Sequence, residues 1–456
     1  LSGLFGTLDV ALHSLMTQQG ALRAATDNIS NINTPGYTRR RAVINEEYPA
    51  YESGILVGRG ATLASIQSIR DQVLDLRIAA ETQHQSATAA FISSMSGVEV
   101  LFTDGDDSLG GRIQTFFDSL DRLSTAPTDI SLRQAVLTSA SNVAQSFNDM
   151  ASKLQSERDQ IGLSVMQKVA EINRFTQSIA DINQQITAKQ ALGQEAGTLE
   201  DQRTELLRQL SSKIDVSVTD TPDGWTISTV RGNSLVVAGS SYPLTTSIDS
   251  TTNTTQITSG SDNITAGITG GELGGLLEAR DQQMALLSTA LDEFAFAFAS
   301  ALNTAHQAGF DRNGASGDLL FEVSSVATGA AASLRLNITD PRKVATSSTA
   351  SACNNANLMK MLSVRDDALV NGQSPGDAYG SMVFQVGGSI ANARINSQSG
   401  EVVLQQLQDM RGAISGVSLD EEATKLIEFQ RAYEACARVI QTVNELLETA
   451  VQIGSR

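Results

Sequence analysis

Cysteine, histidine and tryptophan are scarce in this chain of 456 residues, which has two, three and one of them, with seven prolines and only 5% aromatic residues. Cys353 and Cys436 form neither a CxxC pair nor a zinc spacing, so no redox dithiol or structural zinc is expected. Both read as small apolar filler in helices. His13, His84 and His306 lie outside any HExxH pattern, and no GxSxG, Walker loop or dinucleotide fingerprint occurs. The expectation is a protein that is not an enzyme, with no catalytic, cofactor-binding or metal residues. Basic charge is also short, 32 residues against 50 acidic ones, and the net charge of −18 argues against nucleic-acid binding. No apolar run approaches the roughly 20 residues of a membrane span. The most apolar stretch, Phe294 to Leu302, is far shorter, so membrane insertion is not expected. A basic-then-apolar leader is lacking too, and a cleaved secretory signal is not expected.

Helical periodicity is what the sequence has in quantity. Leu1, Leu8, Leu15, Leu22 and Ile29 recur every seventh residue, with a second row at Leu4, Ala11, Gln18, Ala25 and Ile32. This is a heptad seam whose small residues suit the close approach of a partner. The far end repeats it with Leu419, Leu426, Tyr433, Ile440 and Leu447, flanked by Phe429, Cys436, Val443 and Ala450. A further row holds Ala423, Gln430, Ala437, Asn444 and Val451, which widens the apolar face enough to touch more than one neighbour. Ser418 and Glu421 read as a capping box, and Asp420 to Glu422 put negative charge on the helix start. Seam residues contribute roughly 1.5–3 kcal/mol each, against roughly 1–2 kcal/mol for ordering each backbone residue. Two lone terminal helices would be weak, so further subunits are expected to cover them.

The middle of the chain alternates helices with turns. Asn28, Asn31, Asn33, Pro35, Gly36 and Tyr37 mark a helix stop and a turn into an extended segment through Val43 and Ile44. Arg39, Arg40 and Arg41 read as a solvated turn or an ion-pairing surface facing acidic neighbours. Helices are expected from Thr62 to about Ala90, from Ile113 to Leu123, from Ser131 to about Gln190, around Leu199 to Ile214, from Gly271 to His306 and from Pro375 to Ile414. The longest has a seam that shifts by four residues at Val165, a stutter. Val216 to Val237 reads as hairpins, and 245–270 as the rest of a small exposed β domain with Trp225 in its core. Leu334 to Thr339 reads as a strand. Asp311, Asn313 and Glu322 match EF-hand positions 1, 3 and 12, but Ser316 replaces the required glycine and Ala315 a ligand. An Asn-Gly turn explains the segment sufficiently.

The stretch Asn28-Ile29-Ser30-Asn31-Ile32-Asn33-Thr34-Pro35-Gly36-Tyr37 resembles the N-terminal motif of bacterial flagellar rod, hook and hook-associated proteins. Three further matches narrow the resemblance: Thr269 to Leu277, Ala308 to Asp311 with Asn313-Gly314, and Gly416 to Ala423 continuing through Phe429–Tyr433 and Ala437–Thr442. Together these are similar to the hook-associated protein 1 (FlgK) family. Another axial protein (hook, distal rod or hook-associated protein 3) is the alternative.

The resemblance implies a structural subunit of the flagellum, forming the hook–filament junction at the distal end of the hook. Its partners would be itself, in a ring of about eleven subunits, the hook protein, hook-associated protein 3, and a dedicated export chaperone on the C-terminal helix. It would be extracellular, exported through the flagellar type III pathway, which the low cysteine count suits. The fold expected is mainly α with a smaller β part, a nested multidomain axial protein whose terminal helices form a coiled coil. Domains are expected at 1–60 plus 411–456 (terminal helices), 61–214 plus 271–410 (helical middle) and 215–270 (β-rich outer part), with a second outer domain lacking. The candidate assembly residues are Leu1, Leu4, Leu8, Leu15, Leu22, Ile29, Ile32, Asn28, Asn31, Asn33, Pro35, Gly36, Tyr37, Leu419, Leu426, Phe429, Tyr433, Ile440, Val443 and Leu447.

Overall fold

In the computed structural model, residues 2–52, 55–103, 105–350 and 354–454 are described; Leu1 and Cys353 lie outside them. Helix α1 (Ser2–Ser30) stops at the Asn-rich segment, and Gly36 takes φ +79° in the turn that follows. Strands β1 (Arg40–Glu46), β2 (Ala50–Glu52), β3 (Ile55–Val57) and β4 (Ala61–Ser68) come next. β1 pairs with β4 antiparallel from Arg40↔Ser68 to Glu46↔Ala61, and β2 pairs with β3. This corrects the helix expected from Thr62. The Leu63 and Ile66 spacing fits a helix, but Gly60 at φ +87° starts a new strand after the hairpin, and pairing with β1 satisfies the backbone groups of 61–68. The helix itself is α2 (Gln72–Glu99).

Helices α3 (Leu109–Thr125), α4 (Ile130–Ala191) and α5 (Gly197–Lys213) fall where the periodicity placed them. β5 (Val216–Thr221), β6 (Gly224–Thr229), β7 (Ser234–Val237) and β8 (Ser240–Ser241) form one sheet in sequential order. A separate three-stranded sheet holds β9 (Leu244–Ile248), β10 (Thr255–Ser259) and β11 (Asp262–Asn263). α6 (Gly271–Glu278) runs through a π-helical turn at Ala279–Gln283 into α7 (Met284–Gln307). The expected strand at Leu334 to Thr339 shrinks to β13 (Arg335–Leu336), which follows α8 (Ala330–Ser333) and pairs with β12 (Phe321–Glu322). α9 (Ala356–Ser363), α10 (Pro375–Ser415) and α11 (Leu419–Gly454) complete a mainly helical chain with a smaller β part.

Contacts divide the chain into two units. The first comprises Leu1–Gln83, Glu171–Leu244 and Gly400–Arg456. Within it Asn183 pins the β5–β8 sheet to α4. Its Nδ2 donates to the Trp225 and Ala238 carbonyls at 2.9 and 2.7 Å, and its Oδ1 accepts from Arg203 at 3.1 Å. Trp225 is buried, as a core residue should be, with the Arg203 guanidinium 3.9 Å from its ring centre. Burial lowers the Arg203 pKa to about 10, against the opposing pull of Glu200 and Asp220.

The second unit comprises His84–Ala170 and Thr245–Ser399. Its core is a phenyl cluster of Phe116, Phe117, Phe147, Phe294, Phe298 and Phe321, with the paired ring centres 5.2 to 6.4 Å apart. The segment Gly271–Gln307 is in fact long and apolar enough to cross a membrane by composition, contrary to the expectation. Leu287, Leu291, Phe294, Phe298 and Leu302 bury that apolar face inside this core. The EF-hand resemblance has another explanation here. Asp311 Oδ1 accepts from the Asn313 and Ala315 amides at 2.8 and 2.9 Å, closing a turn, and Glu322 pairs with Arg335 at 2.7 Å.

His306 is fully buried and held as the neutral Nδ1–H tautomer: Nδ1 faces the Asp318 carbonyl at 2.6 Å and Nε2 accepts from the Ala345 amide at 2.9 Å. Burial pushes its pKa below the ordinary value. The unfolded chain then binds the proton more readily, so stability is fully present above about pH 6.5 and is lost as pH falls through the folded value. Thermal melts between neutral and acid pH should show the second unit losing stability below about pH 6.5. His306→Gln should flatten that slope; an unchanged slope would exclude His306 as its source.

Candidate assembly interface

The first and last helices of the chain lie side by side in the first unit. Small residues make this close pairing geometrically permissible. Ala11, Ala21, Ala24 and Ala25 are the buried apolar positions of α1, each at most 6% exposed. Ala11 and Ala25 belong to the second heptad row, Ala24 flanks it and Ala21 adjoins Leu22 of the first, so the small-residue face is the one that goes inward. Leu4, Leu8, Leu15, Leu22, Ile29 and Ile32 are half-buried beside it. On α11 the inward stripe is Leu426, Phe429, Tyr433, Ile440, Val443 and Leu447, with Val443 buried and the others half-buried. Leu419 is exposed. The apolar face left uncovered includes Phe5, Leu12 and Met16 on α1 and Val439, Leu446 and Ile453 at heptad spacing on α11.

A polar lock joins the two helices at the Asn-rich turn. Asn28 is fully buried and its amide makes four hydrogen bonds. Nδ2 donates to the Arg40 carbonyl at 2.8 Å and to Glu422 Oε2 at 2.9 Å, while Oδ1 accepts from the Arg40 amide at 2.8 Å and Tyr37 Oη at 2.9 Å. Glu422, itself buried, also accepts from Arg39 Nε at 2.8 Å. The Arg39 amide donates to the Ser415 carbonyl at 2.9 Å, tying the turn to the end of α10. Glu421, expected to reach back to Ser418, reaches Arg39 Nη2 instead at 2.7 Å. Burial opposes the Arg39 charge, but its bonds to Glu422 and Glu421 outweigh that and raise its pKa. Burial likewise pushes the Tyr37 phenol up to about 12, against the pull of Arg40, whose guanidinium lies 5.3 Å from the ring centre.

Arg40 of the short basic run, and Arg70 and Arg411 outside it, are similarly engaged. Arg40 donates to Thr198 Oγ1 at 2.7 Å and stands 3.9 Å from Asp201, which also takes Arg70 at 2.5 Å. Arg411 pairs with Asp75 at 2.9 Å and donates to the Gly36 carbonyl at 3.2 Å. The ion-pairing reading of Arg39 and Arg40 therefore describes the fold. Asn31 caps locally, donating to the Asp27 carbonyl at 2.9 Å and accepting from Thr34 at 3.1 Å, while Asn33 and Pro35 are exposed. Sequence reasoning missed Glu422 as the buried partner of Asn28. Its one available signal was an acid in the first turn of α11 facing an arginine run elsewhere.

Among the described residues no cluster of His, Cys, Asp and Glu is placed to hold a metal ion. What the paired helices offer is a helical end with apolar stripes on its outside.

Comparison with known proteins fits this geometry piece by piece. Residues 8–38 match a family described as flagella basal body rod protein, and 411–453 match the flagellar basal body rod FlgEFG protein C-terminal family. The stretch 95–321 matches the flagellar hook-associated protein FlgK helical domain. Flagellar hook-associated protein 1 of Escherichia coli is 27% identical, with 97% of this chain and 98% of that protein covered. The protein of the same name from Bacillus subtilis is also 27% identical, with both chains covered in full. In structure, the flagellar hook junction protein FlgK from Burkholderia pseudomallei superposes with a TM-score of 0.68 at 15% identity, over 74% of this chain and all of that one. That likeness is one of fold.

Proposed function

The chain belongs to the FlgK family of flagellar hook-associated proteins, and from that premise we propose how it works as a structural subunit of the hook–filament junction. The observation that carries the reading is the pairing of α1 with α11. It makes one end from the first and last helices and leaves apolar stripes that a single subunit does not cover. The match to the FlgK helical domain across 95–321 favours this subunit over a hook or rod protein, which would share only the ends.

In this reading the subunit assembles with copies of itself through the uncovered faces of α1 and α11. A heterologous contact repeated around an axis gives a closed ring, here of about eleven subunits. The candidate residues along both seams supply the packing, and the Asn33-to-Tyr37 turn with the extended segment after it bridges toward the next subunit. The hook protein lies on one side and hook-associated protein 3 on the other. Before assembly the chain is exported through the flagellar type III pathway, with a dedicated chaperone covering the C-terminal helix, and it ends outside the cell. The three layers at 1–60 plus 411–456, 61–214 plus 271–410 and 215–270 are the working division: inner tube, subunit spacer and outer surface.

Gold-labelled antibody against this chain, applied to purified hook–filament preparations, should mark a single band where hook meets filament. Label spread along the filament, or along the hook, would overturn the assignment.

A further inference from the structure

Two features of the first unit remain once the helix pair and its polar lock are described. One is an aromatic hairpin. The whole chain has six tyrosines, and two of them, Tyr48 and Tyr51, sit at the start of the β2–β3 hairpin with 91% and 79% of their surface exposed. Val57, opposite Ala50 on β3, is 41% exposed. A two-stranded ribbon is marginal in water by itself, and large apolar groups held out on one mark a contact surface. The other feature is a recess of about 430 Å³ against the Pro35–Gly36 turn. Ile78, Ala79 and Leu207 make its floor apolar, and Arg208 and Arg411 stand among the residues around it.

We propose that the β2–β3 hairpin of one subunit inserts a tyrosine ring into the Pro35–Gly36 recess of a second copy of this chain. The proposal rests on the self-assembly reading above and names both sides of one contact within it. The recess has room for an aromatic ring, which buries about 150–250 Å² when covered. Its wall is held in place: Arg411 grips the Gly36 carbonyl, and a Cβ added at Gly36 would stand 3.3 Å from Glu205 Cβ. Arg208, with half of its side chain exposed, supplies a donor for the phenol oxygen that an apolar recess alone would leave unpaired. Knob and hole occupy different parts of the same unit, as a head-to-tail contact that repeats around a ring requires. The recess is also continuous with the proposed assembly end, since its Pro35–Gly36 wall leads directly from α1 and the Asn28 lock.

The test replaces Tyr51 with the photo-crosslinker p-benzoylphenylalanine in full-length protein assembled into flagella, and in a parallel strain Leu446, which is exposed on α11. Illumination should join two copies from position 51, with the adduct mapping to peptides around 35–36, 78–79 or 204–208. Crosslinks between copies from Leu446 but none from Tyr51, or a Tyr51 adduct elsewhere, would sink the hairpin contact and leave the assembly reading standing. Failure of both probes to join copies would remove both. The double variant Tyr48→Ser/Tyr51→Ser should melt like the parent, because the rings touch little within the subunit, yet assemble at least tenfold less. Full assembly of that variant would overturn the proposal.

Discussion

Asn28→Asp is expected to break the terminal-helix lock and abolish junction assembly while leaving the second unit folded. The substitution keeps the shape of the side chain and removes both amide donors. Nδ2, which gives a 2.9 Å bond to Glu422, becomes an oxygen facing a carboxylate in a site from which water is excluded. Two carboxylates sharing such a site cannot both ionise, so one must take up a proton or the pair must separate. The Arg40 carbonyl loses its donor at the same time. A second carboxylate there is a buried charge without a partner of its own, which costs about 3–5 kcal/mol. The α1–α11 contact is poorly placed to absorb it, because most of its seam side chains are only half-buried within the subunit. Arg39 softens the repulsion, but it is already engaged by Glu421 and Glu422. The expected readouts are loss of swimming, early protease cleavage of the 418–454 helix, and partial recovery as pH falls and the introduced carboxyl is protonated. Parental motility and protease resistance would show that the lock carries little of the stability. Asn28→Ala should cost less, since it removes hydrogen bonds without adding a charge.

The reach of sequence reasoning in this chain follows the range of the forces concerned. Long helices were legible because their periodicity is local: α4 and α10 fall within a residue or two of their expected bounds. The terminal seams were legible as apolar rows. Which row goes inward was not, because the choice between the leucines and the alanines of α1 depends on how closely α11 and β4 approach. Strand β4 was misread as helix for a related reason. Its Leu63 and Ile66 spacing is helical and would put the two residues on opposite faces of a strand, so only pairing with β1 reveals the strand. The polar lock was half legible. Asn28 stood out in the motif, but its partner Glu422 lies 394 residues away, and no local pattern links them. Arginines 39 and 40 announced that acids must be near without saying which ones. The β-rich segment was legible as hairpins, but its division between two sheets was not, because strand pairing across turns is not a local pattern.

Gly275→Ala is expected to destabilise the second unit by about 3 kcal/mol or more, at the top of the range for overpacked sites. The glycine-rich run Gly270-Gly271-Glu272-Leu273-Gly274-Gly275 attracted attention through family resemblance, yet its physical reason is contact. A Cβ added at Gly275 would lie 1.9 Å from the Ala87 carbonyl oxygen and 2.9 Å from the Phe91 amide nitrogen. Both are backbone atoms of α2, so no side chain can rotate away and the helices themselves must separate. Separation would uncover Phe91, Leu273 and Leu277, all buried now. At roughly 2–4 °C per kcal/mol for a unit of this size, the melting temperature should drop by about 6–12 °C. Gly388→Ala provides the opposite case, because nothing lies within 4 Å of a Cβ there. In the interior of α10 that change should stabilise by roughly 0.5–1 kcal/mol through helix propensity alone. Opposite signs from two glycine-to-alanine changes in helices would tie Gly275 to the close α2–α6 crossing. A Gly275→Ala protein melting with the parent would mean that the two backbones can part at no cost, and that the motif has some other reason to be glycine.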